Sequence, residues 1–223
     1  MKTAVKHFVQ SCAICQQSKY DRSKSPGLLQ PLPVPDSAWQ VISMDFIEGL
    51  PFSQSFNCVL VIVDLLTKYG HFIPLRHPFI VVIVAKSFFQ HVYRLHGLPS
   101  SIISDCDRIF TSHFWSELFK LADVSLCCST AYHPQSDGQT ERLNQCLETY
   151  LRCFVHACPN KWSQWLPSVE FWYNSCYHSA IGRPPFEALY GYPPRFLALD
   201  VSAGSHPEVI GWASDRQWMD QLL

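Results

Sequence analysis

Charge is scarce in this sequence. Lysine, arginine, aspartate and glutamate make up 16% of its 223 residues, and 17 basic against 18 acidic side chains leave a net charge of −1. A chain that holds nucleic acid by its own electrostatics carries clustered Lys and Arg, so strong independent binding is not expected. The basic stretch KYDRSK over 19–24 is too dilute for a localisation signal. Apolar runs stay far short of the ~20 residues of a membrane span. The opening MKTAVKHFVQSC lacks the extended apolar block of a secretory leader. The expectation is a soluble intracellular protein with no membrane partner. Disulfide spacing is missing too. Of ten cysteines only Cys12 and Cys15 stand as C-x-x-C, while Cys127, Cys128, Cys146 and Cys153 sit in apolar segments and read as buried thiols.

What the chain does have is apolar bulk. Hydrophobic residues reach 48%, with seven Trp and fifteen Phe, which excludes a disordered polymer. The length allows one core of domain size with small appendages.

Residues 1–24 contain CAICQQSK, in which FVQSCAIC reads as the end of a short helix. Cys12 and Cys15 have the spacing of half a zinc site; a full one needs two further His or Cys ligands. Four prolines and a glycine make 25–40 an extended linker, with Trp39 anchoring its end. From 41 to 76, VISMDFIEGL, NCVLVIVDLLT and YGHFIPLR read as three strands. The second is almost wholly apolar, as expected of a strand covered on both faces. Asp64 at its end is read as a turn residue binding backbone, the alternative being a fourth acidic group near a site.

Over 81–96 the period changes. Val84, Ala85, Phe88, Phe89, Val92 and Leu95 recur at helical spacing, and Gly97 with Pro99 ends the helix. SIIS at 101–104 is a short strand that delivers Asp105 to its carboxyl end, where open α/β sheets collect ligands. Asp107 reads as a loop or cap residue. A helix over 110–122, capped by Thr111 or Ser112, and a strand at 124–130 follow, then a polar loop at 131–139. The helix over 140–156 buries Leu143, Leu147, Tyr150, Leu151 and Phe154. Glu141, two residues before Leu143, is rotated about 200° from that stripe. It shares the polar side with Gln145, Glu148 and Arg152, so periodicity leaves it between a solvated face and a ligand. An aromatic helix with Pro167 inside covers 161–178, a Pro/Gly-punctuated segment covers 181–195, and 196–223 is weakly patterned.

Asp45 and Asp105 on strands, with 59 residues between them, and Glu141 on a helix after 35 more form an acidic set. Three carboxylates suit divalent cations that demand oxygen ligands, and such cations serve phosphoryl transfer. The stretches CAICQQSK, ISMDFIEGLP, VIVDLLTKYGHF, HGLPSSIISDCDRIFTSHFW, STAYHPQSDGQTERLNQCLETYLR and GRPPFEALYG run in order over about 10–195. Together they resemble the integrase of gypsy-type LTR retrotransposons, a relative of retroviral integrases.

The resemblance implies an α/β, ribonuclease-H-like core, a mixed sheet flanked by helices, over 41–160. It implies a DDE triad of Asp45, Asp105 and Glu141 holding two Mg2+ (or Mn2+) ions. Water would trim the element's DNA ends, and the new 3′-hydroxyls would attack target DNA. The loop 131–139 matches the family's active-site loop, making Tyr132, His133 and Gln135 candidate DNA contacts, with Arg142 and Lys68 as weaker phosphate contacts. DNA, further copies of the chain and a nuclear location follow as expectations.

The chain also departs from the pattern. The family's amino-terminal domain binds Zn2+ through two histidines and two cysteines; here 1–24 keeps Cys12 and Cys15, and the histidine pair would lie before Met1, which puts zinc binding in doubt. Cys106 follows Asp105 where relatives usually carry arginine. The extension at 161–223 lacks the carboxyl-terminal DNA-binding part. A piece of a polyprotein is expected, either active or an inactive fragment that keeps only nucleic-acid or protein binding.

Overall fold

The computed structural model describes residues 2–12, 34–104, 112–121, 124–128, 149 and 159–196. Of the linker 25–40 it describes only 34–40, and of the helix expected over 140–156 only Thr149, which is helical. Helix α1, Lys2–Ser11, ends where the sequence placed a helix end, with the Cys12 N–H bonded to Phe8 O at 2.9 Å.

Among the described residues, five strands form one mixed sheet: β1 (Val41–Ile47), β2 (Cys58–Asp64), β3 (Gly70–Leu75), β4 (Ser101–Ser104) and β5 (Ser125–Cys128). Their order is β3-β2-β1-β4-β5, with β2 antiparallel to both neighbours and β4 parallel to β1 and β5. The strand period of two sends alternate residues to opposite faces. One face gathers Ile42, Met44, Leu60, Ile62, Ile73 and Leu75 against α2 (Val81–Phe88) and α3 (His113–Leu121). The other sets Ile47, Val59, Val61, Val63 and Phe72 against Trp162, Leu166 and Val169 of α4 (Trp162–Ser175). Helices on both sides thus account for the unbroken apolar run of β2, which is buried throughout.

The helix expected over 81–96 is not one regular α-helix. After α2 the chain makes a π-helical turn, Phe89–Tyr93, then a short α-turn, Arg94–His96. A π-turn closes i→i+5 bonds and inserts an extra residue, so the buried stripe shifts its phase. Val84, Ala85, Phe88 and Val92 are buried as expected, but Leu95 is 56% exposed. Gly97, at φ 80°, ends the helix in a conformation that an L side chain resists. Ser112 occupies the cap position of α3 and its C=O accepts Ser116 N–H at 3.1 Å, yet its buried Oγ has no bond partner among the described residues.

Asp64 proves to be the turn residue. Fully buried, it accepts the Thr67 N–H (2.9 Å) and hydroxyl (2.6 Å) at Oδ2, and the Trp39 N–H (3.0 Å) at Oδ1. The carboxylate therefore closes the β2–β3 turn and pins the residue that leads into β1. Trp39 takes φ 62°, a left-handed value uncommon for a bulky residue, and this bond helps to hold it there. Asp64→Asn places an amide NH2 against one of these donors and is expected to cost about 1–3 kcal/mol. Chemical denaturation checks it.

Helix α4 tolerates Pro167 on its exposed side, at the cost of one helical bond. Its aromatics do not share one face: Trp162 is buried and Trp165 and Tyr173 pack inward, while Phe171 is exposed. Phe171 meets Phe186 of α5 (Pro185–Tyr190) and Phe196 edge-on. Gly191, in the left-handed region at φ 79°, ends α5.

Candidate active site

Asp45 lies on β1, the middle strand of the sheet, and is half-buried. It pairs with Val61 of β2, and by alternation stands on the face opposite Ile42 and Met44, between Ser43 and Ile47. Its Oδ1 accepts the Phe46 N–H at 2.7 Å, and Phe46 packs its ring 4.9 Å from Phe79 on the other face. A side chain set on a strand hydrogen-bonded from both sides has little freedom to drift. On the parallel side, Met44 is in register with Ser104, which pairs in turn with Cys128. Ser104 ends β4 and is buried.

The other sequence candidates divide into two groups. Asp105, Asp107, Glu141, Arg142, Tyr132, His133, Gln135 and Cys15 lie outside the described residues. Cys12 is half-buried just past α1. Among the described residues, no three His, Cys, Asp or Glu side chains group so as to hold a metal ion.

Lys68 is not brought to Asp45. It sits in the β2–β3 turn, at φ 62°, and its ammonium donates to Leu65 O at 2.7 Å. The neighbouring Asp64 aligns with Ile42, three residues before Asp45, which is about 10 Å along the strand. Burial pulls the Lys68 pKa down against the opposing charge of Asp64. A desolvated ammonium already spent on a backbone carbonyl is poorly placed to meet a phosphate.

Sequence reasoning missed a polar cluster two strands away on β3, whose His71 and Phe72 stand level, through Ile62 and Val61 of β2, with Met44 and Asp45. Glu170 and Asn174, one helical turn apart on α4, reach the outermost strand β3. Glu170 Oε2 accepts the Phe72 N–H at 2.7 Å; Asn174 accepts the Gly70 N–H at 2.8 Å and donates to Gly70 O at 2.9 Å. Glu170 Oε1 also lies 3.1 Å from His71 Nδ1, and His71 Nε2 lies 3.0 Å from His96 Nε2. The His96 ring stacks on the Trp39 indole at 3.8 Å and 5°. The available signal was two polar residues four apart on an otherwise aromatic helix.

No family model matches the sequence. The Tf2-3 and Tf2-4 transposon polyproteins of Schizosaccharomyces pombe are each 36% identical to it over 205 residues. That stretch is 92% of this chain, which spans 15% of the length of those polyproteins. Among solved structures, the integrase in the simian T-cell lymphotropic virus intasome, in complex with a PP2A regulatory subunit, matches with TM-score 0.61 and 17% identity. That match covers 92% of this chain and 73% of the other. The HTLV-2 integrase catalytic core with magnesium, in its trimeric form, matches with TM-score 0.55 and 16% identity over 68% of this chain and 97% of that one. The BIV integrase core gives TM-score 0.53 and 19% identity, over 68% and 93%. At these identities the structures establish the ribonuclease-H-like fold. The polyproteins supply the kinship: the chain is homologous to one segment of retrotransposon polyproteins, and that segment has the fold of retroviral integrase catalytic cores.

Proposed function

We propose that this chain is the catalytic region of a retrotransposon integrase, a metal-dependent polynucleotidyl transferase that trims the 3′ ends of element DNA and joins them to target DNA. The observation that carries this reading is the parallel register of β1 and β4. Met44 is in register with Ser104, and in the sequence each is followed by an aspartate, Asp45 and Asp105. Two strands side by side in the middle of the sheet thus lead into two carboxylates, and Glu141 would be the third.

Asp45 fits a magnesium ligand. Its carboxylate is a hard oxygen donor, half-exposed, on a strand too constrained to drift. Asp45, Asp105 and Glu141 would hold two ions, which supply positive charge to the attacking and leaving oxygens of an in-line displacement. The chain's own contribution is placement: β1 fixes where the first carboxylate stands, and the Phe46 N–H fixes how it is turned. Phosphoryl transfer depends chiefly on such positioning and on charge neutralisation. Tyr132, His133, Gln135 and Arg142 are assigned to DNA contact, further copies of the chain to assembly on the DNA ends, and the nucleus to the site of action. The HTLV-2 integrase core has been solved in dimeric and trimeric forms, and the simian viral match is part of an intasome structure, which supports the expectation of assembly.

A reversal assay on branched DNA that mimics the joined product tests the proposal. The substrate already holds the reacting groups together, so it asks least of the rest of the polyprotein. With Mg2+ or Mn2+, the wild-type chain is expected to resolve the branch and Glu141→Gln is not. A folded, metal-binding wild-type chain that yields no product would instead mark an inactive, binding-only fragment.

A further inference from the structure

The polar cluster beneath Trp39 joins three elements that sequence separates widely. His71 comes from β3, His96 from the turn that ends the α2 helix, and Glu170 from α4. The hydrogen bonds fix how many protons the cluster holds. A carboxylate only accepts, so the bond from His71 Nδ1 to Glu170 places a hydrogen on that nitrogen. The 3.0 Å contact between His71 Nε2 and His96 Nε2 has room for one hydrogen. With both rings neutral, His96 donates and His71 accepts. With one added proton the contact survives, because one ring still offers a lone pair. With two, N–H faces N–H and two like charges meet.

We propose that His71 and His96 form a proton-counting latch, which one added proton leaves shut and a second opens, releasing Trp39 and the last turn of the α2 helix from β3. The latch holds more than a ring. Trp39 precedes Gln40, whose carbonyl accepts the Ser100 and Ser101 N–H groups at 2.8 and 3.2 Å. The entries to β1 and β4 are therefore tied at the spot where the indole is clamped, at the end of β1 away from Asp45. Asp64 holds the Trp39 N–H from the β2–β3 turn.

The surrounding charges set the range in which the latch works. His96 is pushed down to about 4, first by burial and then by His71, against the raising influence of Asp64. His91, on the π-turn, is lowered by burial, by His71 and by Arg94, while Glu170 opposes. The Tyr69 hydroxyl, beside Tyr190 and Glu170, is raised chiefly by burial and stays neutral. The unfolded chain takes up a histidine proton near the ordinary 6.5, before folded His96 does. The stability that neutral His96 contributes is therefore full above that value and is lost as pH falls towards about 4, the range in which the second proton opens the latch.

Nitrogen NMR of the imidazoles in the 223-residue chain tests this, with the Trp39 indole resonance assigned by Trp39→Phe. Between about pH 8 and about pH 4, the Nε2–Nε2 contact of His96 with His71 is expected to persist through the first added proton and to break with the second. The Trp39 indole should move with the second step, while far-UV circular dichroism stays native. His96→Gln, which donates without titrating, should remove that response; His71→Gln should raise the proton affinity of His96. A merely structural stack predicts none of this coupling. The latch is overturned if both rings titrate independently near the ordinary value, or if the indole moves only when the whole chain unfolds. The wild-type titration decides this even where a variant fails to fold.

Discussion

Asp45→Asn is expected to abolish branch resolution while the thermal unfolding midpoint stays within the range of ordinary surface substitutions. The amide keeps the volume, and its oxygen can still accept the Phe46 N–H that orients the side chain. What it loses is the negative charge. Removing an outer partner of a metal ligand already costs some 10–100-fold, so losing a ligand itself is expected to exceed ~100-fold. Parallel measurements of turnover, magnesium dependence and melting separate the possibilities. Retained turnover would remove Asp45 from the metal site, and lost turnover with a collapsed midpoint would make it structural. Asp64→Asn supplies the contrast: its carboxylate is consumed by the turn and by Trp39, so stability falls before chemistry does.

Asn174→Ala is the complementary case, with a large expected loss of stability and no direct loss of chemistry. Asn174 is buried and satisfies both backbone groups of Gly70 across more than a hundred residues of chain. Alanine leaves that N–H and that C=O without partners in a tight interior, where a Gly70 Cβ would stand only 3.1 Å from the Tyr173 ring. An orphaned buried group costs about 1–3 kcal/mol, so the pair is expected to cost about 2–4 kcal/mol. For a chain of this size that lowers the melting midpoint by roughly 5–15 °C. Ser175→Ala is the control, because that exposed hydroxyl only donates back to Phe171 O in its own helix. A fall of similar size in both variants would mean that α4 is fragile as a helix and that the Gly70 bonds carry no special weight.

Hydrophobic period and punctuation made most of the described framework legible. The runs 41–50, 57–67 and 69–76 became β1, β2 and β3, and Gly97 and Pro99 end their helix where the sequence placed the stop. Leu95 was misassigned because a period of 3.6 assumes one hydrogen-bond pattern throughout, and the π-turn at Phe89–Tyr93 changes it midway. Asp64 could be read as a turn residue because its main partners lie within three positions; its bond to Trp39, twenty-five residues away, could not. Of the candidate site, the position of Asp45 within an apolar strand was legible. Lys68 was not, because a sequence does not show which way a lysine in a left-handed turn sends its ammonium. The bond of Glu170 to Phe72 spans ninety-eight residues, a separation that no local pattern encodes.

The side chains that meet β3 also govern what the protein can stick to. An unpaired rim of a sheet is a template on which a foreign strand can grow, the first step towards swapped dimers and fibres. Here the Gly70 N–H and C=O and the Phe72 N–H, the groups such a strand would seize, are already taken by Asn174 and Glu170. At this border an incoming chain would have to displace α4 before it could bond. Copies of the chain that meet would thereby be steered to touch through side-chain surfaces, which can part again, and kept from fusing along β3 into an amyloid-like ribbon.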